Sequence, residues 1–298
     1  MTAASPAPSP APVTRFAPSP TGFLHLGHAH SALAGWRAAR AAGGRFLLRI
    51  EDIDPNRCRP EFEQAIVEDI GWLGLDWAGP VRRQSDHMAD YTAALDRLRE
   101  MGVVYPCFCS RKEIQEEIAR AGHAPHLAPP HLAPAGPEGP LYPGTCRRLD
   151  RGEVGARVAA GVPHAHRLDV AAALALTGPL TWHDRHRGTI PARPEELGDV
   201  VLARRDVPTS YHLSVTVDDA IQGVTLVTRG EDLFAATHTH RVLQALLELP
   251  VPEWQHHGLL TNAAGERLSK RDGAKALRAL RAEGVGPAAV RALAGFPD

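Results

Sequence analysis

Residues 13–50 read VTRFAPSPTGFLHLGHAHSALAGWRAARAAGGRFLLRI, and this stretch alone predicts a class of fold. Residues 13–16 predict a short buried strand, and the prolines and glycine of 17–22 predict a rigid turn after it. Residues 28–42 are rich in alanine and favour a helix, which a pair of glycines ends. Residues 45–50 predict a second strand. Strand, turn, helix and strand form the opening unit of an α/β domain with a doubly wound parallel sheet.

The bulk composition is that of a soluble globular protein. Of 298 residues, 44% are hydrophobic and 22% are charged, which allows one large domain or two modest ones. The formal net charge of −1 gives no overall positive field, so any contact with RNA needs a local basic patch. Residues 1–13 are small, polar and Pro-rich and predict a disordered leader rather than a signal peptide. No apolar run approaches the roughly 18–20 residues of a membrane span, so we expect a cytoplasmic protein that does not bind membranes.

The rest of the chain predicts alternating elements around one irregular tract. Pro, Ala and His dominate residues 122–140, which predict an insertion loop without regular structure. Apolar periodicity and β-branched runs predict helices at 61–73, 91–101, 237–249 and 275–283, and strands at 199–203, 211–217 and 224–229.

The tetrapeptide His25-Leu26-Gly27-His28 lies between the first predicted strand and its helix. Backbone N–H groups and the helix dipole favour a phosphate at this position. Two imidazoles can donate hydrogen bonds to triphosphate oxygens, and the glycine lets a ligand approach the backbone closely. Alternatively, both histidines are solvated loop side chains in a protein that has 16 histidines.

A second motif, RLSKR at 267–271, is flanked by glycines at 265 and 273. A flexible basic loop suits an ATP site because it can close on phosphates as charge develops in the transition state. Lys270 is the candidate for a point charge near the α-phosphate. Alternatively, the segment is an exposed basic turn.

Together and in this order, the two motifs resemble the HIGH and KMSKS signatures of class I aminoacyl-tRNA synthetases. Four further stretches narrow the resemblance to the glutamyl and glutaminyl branch: RFAPSPTG at 15–22, RIED at 49–52, YHLSVTVDD at 211–219 and VTRGED at 227–232. The matches extend from residue 15 to about residue 273, nearly the whole folded chain. The resemblance implies a Rossmann-like catalytic domain that activates an amino acid with ATP and Mg²⁺.

The resemblance also implies which residues form the site. The glutamate pocket would be lined by Arg15, Phe16, Ala17, Pro18, Ser19, Glu51, Tyr211 and Arg229. ATP would be bound by His25, Gly27, His28, Ser269 and Lys270, of which His25, His28 and Lys270 would be catalytic. The residue types agree, because guanidinium groups pair with carboxylates and a carboxylate can hold an α-ammonium group. Alternatively, Glu51 and Arg229 are salt-bridged scaffold residues and Tyr211 is a core aromatic.

Three of the four cysteines form a cluster in sequence: Cys107, Cys109 and Cys146. In a reducing compartment, three thiolates and one oxygen or nitrogen donor can hold a structural zinc ion. The resemblance implies Tyr142 as the fourth ligand, as in truncated paralogues of glutamyl-tRNA synthetase. This sequence departs from those paralogues in its 122–140 tract, whose histidines at 123, 126 and 131 are alternative ligands. Without a metal the three would be buried structural cysteines, and Cys58 is expected to be a partly buried thiol.

The resemblance implies a layout for the whole chain. The catalytic domain would occupy 14–106 and 198–250, an inserted acceptor-type zinc subdomain 107–197, and the KMSKS-like loop with short helices 251–298. Only 28 residues follow Lys270. An anticodon-binding region would need on the order of 100–200 residues, so we expect that region to be absent.

This architecture resembles that of the glutamyl-Q tRNA(Asp) synthetases, which attach glutamate to queuosine, the modified wobble base of tRNA(Asp). The expected partners are L-glutamate, ATP and the anticodon stem-loop of that tRNA, bound by a monomer. Three alternatives remain open: transfer of glutamate to an ordinary tRNA acceptor end, a non-catalytic RNA-binding paralogue, and a ligase that passes the adenylate to a small amine.

Overall fold

The computed structural model describes residues 11–121, 135–137, 139–260 and 275–297, and these residues belong to two compact units. The first unit is drawn from Met1–Arg83, Gly223–Glu231 and Pro252–Asp298. The second consists of Gln84–Gln222 and Asp232–Val251, which is wider than the insertion predicted at 107–197. No helix in the described ranges combines the length and the hydropathy needed to cross a membrane.

The elements alternate along the chain much as the sequence predicts. The helices are Leu26–Ala41 (α1), Pro60–Trp72 (α2), Met88–Glu100 (α3), Arg111–Ala121 (α4), Arg151–Ala159 (α5), Val170–Thr177 (α6), Tyr211–Ile221 (α7), Ala236–Leu246 (α8), Leu277–Ala282 (α9) and Pro287–Leu293 (α10). The strands are Val13–Phe16 (β1), Arg45–Ile50 (β2), Arg82–Arg83 (β3), Val104–Cys107 (β4), Ala135–Gly136 (β5), Gly139–Pro140 (β6), Ala165–Leu168 (β7), Thr181–Asp184 (β8), Gly188–Pro191 (β9), Val201–Ala203 (β10), Leu226–Gly230 (β11) and Glu253–His257 (β12).

The first unit contains the predicted parallel pairing. Strand β1 pairs with β2 in parallel register, β2 pairs with β3, and β11 pairs with β12 in the same sense. The two groups of strands meet where Thr225 N–H donates to Val13 O at 3.0 Å, just before β11. The opening β1-α1-β2 unit is therefore confirmed, and Val13, placed in the predicted leader, is the first residue of a strand. Residues 1–10 of that leader lie outside the described ranges.

Helix α1 packs directly on this sheet because Gly35 leaves room for it. A Cβ atom at Gly35 would lie 2.8 Å from Oγ1 of Thr228 on β11, closer than real Cβ contacts allow. Apolar side chains of the strands and of α2, α9 and α10 fill the core of the unit; they include Phe16, Leu24, Leu33, Phe46, Leu48, Ile50, Ile66, Ile70, Leu277 and Val290.

The second unit is built from an antiparallel sheet and packed helices. Strand β7 pairs with β4 and with β10, both antiparallel, and β8 and β9 form a hairpin. Helices α3, α6, α7 and α8 contribute to a common apolar core with side chains such as Leu95, Leu98, Leu213, Val242 and Leu243. Asp218 of α7 is fully buried in this unit and accepts hydrogen bonds from Tyr91 Oη at 2.9 Å and Gln84 Nε2 at 2.8 Å.

Two sequence predictions are wrong in this unit. The alternating β-branched residues of 211–217 predict a strand, but these residues form the first part of helix α7. Every residue from Leu213 to Asp219 is buried, so the helix lacks the polar face by which a surface helix is recognised. Thr216 Oγ1 donates to His212 O at 2.8 Å, one turn earlier, which satisfies its hydroxyl within the helix. The 122–140 tract is predicted to be irregular throughout, yet β5 and β6 at its end pair with each other.

Candidate active site and metal-binding cluster

The two motif histidines cap helix α1. Gly27 N–H donates to Nδ1 of His25 at 3.1 Å, and His25 N–H donates to Nδ1 of His28 at 3.2 Å, which completes a capping box. The two rings are tilted by 37° to each other, with centroids 3.9 Å apart. Because each Nδ1 accepts a backbone hydrogen, a neutral ring carries its proton on Nε2. Both imidazoles can therefore offer an Nε2–H donor at the positive end of a helix.

The structure gives a second reason for a glycine at position 27, besides the predicted close approach of a ligand to the backbone. A Cβ at this position would lie 3.0 Å from Cε1 of the His25 ring, so a larger residue would push that ring away from the helix cap. A glycine at position 27 is thus needed to keep the His25 ring in its capping position.

The segment that follows the RLSKR motif returns to the same helix end. Ala276 forms an isolated antiparallel bridge with His25, and Leu277 N–H donates to Leu24 O at 2.8 Å. The predicted ATP-binding residues Ser269 and Lys270 themselves lie outside the described residues. The described chain resumes at residue 275, next to the motif histidines.

Three of the predicted glutamate-binding side chains are buried charges at the carboxyl ends of strands in the first unit. Arg15 on β1 and Arg229 on β11 are each 5% exposed, and Glu51, directly after β2, is 9% exposed. Arg15 Nη1 donates to Thr228 O at 3.2 Å, which places its guanidinium beside the residue before Arg229. Ligands of open α/β sheets bind at this edge, where the strands end.

Glu51 and Arg229 each have a buried partner. Arg49 is fully buried and donates from Nη2 to Oε1 of Glu51 at 3.1 Å. Arg229 donates from Nε to Nε2 of His256, its register partner on β12, at 3.2 Å. His256 was not singled out from the sequence, since it belongs to none of the matching motifs and lies 27 residues further along the chain.

The turn after β1 contains both buried and exposed residues. Phe16 packs in the core of the first unit, so any role in a glutamate pocket would fall to its backbone. Pro18 is buried and its carbonyl accepts Glu51 N–H at 3.0 Å, which ties the turn to the end of β2. Ala17 is half-buried and Ser19 is exposed, which leaves the Ser19 hydroxyl accessible to a ligand.

Tyr211 belongs to the second unit. It is the first residue of α7 and is half-buried, with its ring centroid 5.5 Å from the rings of His212 and His240. It is therefore not a fully buried core aromatic, and its place in a glutamate pocket stays a prediction.

The three predicted zinc ligands with thiol groups lie together in the second unit. The Sγ atoms of Cys107, Cys109 and Cys146 are all within 4.8 Å of one another. Tyr142 Oη lies 3.4 Å from Sγ of Cys107 and 3.6 Å from Sγ of Cys109, and Cys146 N–H donates to it at 2.9 Å. Sulfur ligands about 2.3 Å from a tetrahedral zinc ion stand roughly 3.8 Å apart, so this donor set fits the metal. The histidines at 123, 126 and 131 lie outside the described residues.

The thiol and phenol groups of the cysteine cluster differ in their pKa values. Burial raises the pKa of the Cys109 thiol to about 12. Burial acts in the same sense on Cys146, but hydrogen bonds from Tyr142, Cys109 and the Phe108 N–H outweigh it and lower the pKa of that thiol. Burial also raises the pKa of Tyr142 above its usual range. Of Cys109, Tyr142 and Cys146, the Cys146 thiol is thus the group that loses its proton most readily.

Two residues missed from the sequence support this cluster. The guanidinium of Arg167 lies over the ring of Tyr142, 3.9 Å from its centroid, and Arg167 also donates to Asp199 O at 2.7 Å. The buried carboxylate of Asp199 accepts from Tyr105 Oη at 2.6 Å and from Arg147 Nη1 at 3.0 Å. Cys58 lies in the first unit as a half-buried free thiol, as predicted.

Comparison with known proteins shows the family to which the chain belongs. The family described as tRNA synthetases class I (E and Q), catalytic domain, matches residues 12–295. A glutamyl-Q tRNA(Asp) synthetase of Rhodobacter capsulatus is 53% identical over 95% of this chain and 100% of its own length. A glutamyl-Q tRNA(Asp) synthetase of Nocardia farcinica is 45% identical over 94% of this chain and 82% of its own.

A solved structure shares the fold. The crystal structure of a glutamate tRNA ligase from Elizabethkingia meningosepticum, in complex with its amino acid, superposes with a TM-score of 0.73 at 29% identity. The match covers 88% of this chain, which spans about half, 52%, of the length of that ligase. With the match to the family over residues 12–295, this establishes the α/β fold of the class I synthetases. The chain belongs to the class I tRNA synthetases for glutamate and glutamine and, within them, to the glutamyl-Q tRNA(Asp) synthetase family.

Proposed function

We propose that this protein activates L-glutamate with ATP and transfers it to the queuosine base at the wobble position of tRNA(Asp). The observation that supports glutamate activation is the group of buried charges at the strand ends of the first unit. Two guanidinium groups, of Arg15 and Arg229, match the two carboxylates of glutamate, and Glu51 matches its α-ammonium group.

The activation step would place ATP at the histidine-capped end of α1. The α-carboxylate of glutamate attacks the α-phosphorus of ATP, the bond from that phosphorus to the α,β-bridging oxygen breaks, and glutamyl-adenylate and pyrophosphate result. The Nε2–H groups of His25 and His28 would hold phosphate oxygens as charge develops. Lys270 would add a point charge, and Mg²⁺ would enter bound to the phosphates of ATP.

In the transfer step, a hydroxyl of the queuosine ring would attack the carbonyl carbon of the adenylate. An ester forms, AMP leaves with the electron pair of the broken bond, and the hydroxyl proton passes to solvent or to the leaving phosphate. The names of the relatives from Rhodobacter capsulatus and Nocardia farcinica support this acceptor. Positioning of the two reactants supplies much of the rate in reactions of this kind.

We infer that the cysteine cluster holds one structural zinc ion through Cys107, Cys109, Cys146 and Tyr142. The donor distances support this, and a cytoplasmic location would keep the thiols reduced. The ion would fix β4 to the segment around Cys146, two parts of the second unit that are far apart in sequence.

The decisive experiment compares acceptors. Labelled glutamate and ATP are supplied with tRNA(Asp) that contains queuosine or with the same tRNA isolated from cells that cannot make it. We expect label only on the first, and nuclease digestion should release glutamyl-queuosine. Equal charging of both would instead indicate transfer to the acceptor end. Label on a small amine without RNA would indicate a small-molecule ligase.

Glutamate-dependent exchange of pyrophosphate into ATP tests the activation step separately. Folded protein without exchange above background would show a non-catalytic RNA-binding paralogue.

A further inference from the structure

A row of three rings lies beside the metal-binding cluster of the second unit. The centroids of Phe108 and His164 are 5.3 Å apart, and those of His164 and His166 are 5.0 Å apart. All three residues are half-buried, and the ring atom Nε2 of His166 is buried, so Phe108 and His164 are the rings that a ligand would meet first. The distances are those of tilted and edge-to-face ring pairs.

Cationic side chains surround one end of this row. The guanidinium of Arg157 lies over the Phe108 ring, 5.4 Å from its centroid, and Arg205 donates to the Phe108 carbonyl. Residues 147–168 contain five arginines and only two acidic residues, in a protein whose net charge is −1. One of those acidic residues, Glu153, pairs with Arg157 one turn away on α5. The segment that carries His164 and His166 is thus net positive in sequence, as phosphate contacts require.

The row is fixed by the backbone on both sides. Pro106 of β4 pairs with His166 of β7, and Cys107 pairs with Ala165, so Phe108 follows directly from the sheet. Phe108 also lies between two members of the cysteine cluster. His164 Nδ1 is 2.8 Å from Val162 O, a hydrogen bond that orients its ring. A stacking partner would therefore find the rings already in place, without the loss of side-chain entropy that mobile rings would add.

We propose that Phe108 and His164, supported from one side by His166, form a stacking platform for unpaired RNA bases, with Arg157 and Arg205 contacting the adjoining phosphates. Unstacked loop bases present their faces to aromatic side chains, whereas bases within a duplex do not. The occupant is therefore a single-stranded loop or end, in keeping with an anticodon stem-loop. This inference rests on the proposed function for the identity of its partner.

The test measures binding of RNA and activation of glutamate in the same variants. His164→Ala removes one ring without touching the cysteine cluster, and Phe108→Leu removes a second. We expect each to weaken binding of an RNA hairpin by roughly 5- to 150-fold, the range for loss of one base–aromatic stack. Glutamate-dependent pyrophosphate exchange should stay at the wild-type rate. His183→Ala, an exposed histidine of the same unit on β8, should change neither.

The outcomes separate this inference from the proposed function. Wild-type affinity for the hairpin in both ring variants would overturn the platform, as would equal affinity of the wild type for the hairpin and for a duplex of the same length. Zinc content measured on Phe108→Leu shows whether weaker RNA binding comes from loss of the ring or from disturbance of the cysteine cluster. His164→Ala does not touch that cluster and gives an independent result. Absence of exchange in the wild type, with ring-dependent hairpin binding, would refute glutamate activation and leave the platform standing.

Discussion

The Nε atom of Arg229 lies 3.2 Å from Nε2 of His256, its register partner on the neighbouring strand. An arginine Nε always carries a hydrogen, so the imidazole nitrogen must be the acceptor and the ring proton sits on Nδ1. Both side chains are only 5% exposed. The contact fixes the guanidinium plane, which decides whether its remaining N–H groups can meet a carboxylate with two parallel hydrogen bonds.

From this contact we expect His256→Leu to weaken glutamate binding. A hydrogen bond to a charged group is worth about 1.5 kcal/mol, so the KM for glutamate in pyrophosphate exchange should rise roughly tenfold. The KM for ATP should not change, because ATP is placed at the other motif. His256→Gln keeps an acceptor at this position and should recover most of the loss. An unchanged KM for glutamate in His256→Leu would show that Arg229 is held by other groups.

The capping role of His25 leads to a prediction that separates stability from catalysis. His25→Ala removes the cap, which costs about 1 kcal/mol and should lower the Tm by roughly 2 °C in a chain of this size. His25→Asn supplies another good capping side chain and should keep the wild-type Tm. Neither variant retains the Nε2–H donor, so the rate of pyrophosphate exchange should fall about 100-fold or more in both. Recovery of exchange in His25→Asn would show that the cap alone is what the reaction needs.

The zinc content of single variants tests which residues bind the metal. The wild type should hold one equivalent of zinc after dialysis, and Cys109→Ser should hold less than about half of one. Tyr142→Phe keeps the ring under Arg167 but removes the oxygen, so its zinc affinity in competition with a chelator should fall by about tenfold or more. Cys58→Ser, a thiol outside the cluster, is the matched control and should bind zinc like the wild type. Unchanged zinc affinity in Tyr142→Phe would point to a histidine of the 122–134 segment instead.

What the sequence predicts well is what short local patterns determine. The β1-α1-β2 unit follows from the strand, proline-rich turn, alanine-rich helix and glycine pair of residues 13–50, and each of these acts on its own neighbourhood. The pair Cys107 and Cys109 is local in the same way, whereas Cys146 joins it from 37 residues further along the chain and is predicted through the resemblance to truncated glutamyl-tRNA synthetase paralogues.

What the sequence does not predict depends on contacts between distant segments. Helix α7 is enclosed by its own unit, so burial rather than the strand preference of its valines and threonines sets its conformation. Asp199 and Arg147 are 52 residues apart in sequence and meet only in the folded unit. His256 becomes the partner of Arg229 only through the pairing of β11 with β12. No local pattern marks such residues, and they are the ones that position the predicted site.

Asp69 gives a prediction on pH and stability that is independent of the site. It lies on α2 with no exposed surface, and within the described ranges neither carboxylate oxygen has a hydrogen-bond partner. Arg281 Nη1 is the cation beside it, at 3.9 Å. Burial raises the pKa of Asp69 to about 6, against which Arg281 acts only in part.

The sign of the effect follows from proton binding. An aspartate in an unfolded chain has a pKa of about 3.9, so between that pH and about 6 the folded state binds more protons than the unfolded state. The contribution of Asp69 to stability is therefore greatest below about pH 4 and is lost as the pH rises through about 6, by about 2–3 kcal/mol at most. Asp69→Asn cannot ionise and should escape this loss. Its free energy of unfolding relative to the wild type should increase from pH 4 to about pH 6 and then level off, in urea titrations between pH 4 and pH 7.5.

The slope with pH, rather than the absolute stability, is the quantity to compare. A buried amide without partners lowers stability equally at every pH, so it shifts the difference between variant and wild type without changing its slope. Glu68→Gln is the matched control: its side chain is 48% exposed and lies 3.7 Å from the same Arg281, so its difference from the wild type should vary by less than about 0.5 kcal/mol over the range. A flat difference for Asp69→Asn would mean that the carboxylate is stabilised when charged, through water or a rearranged Arg281.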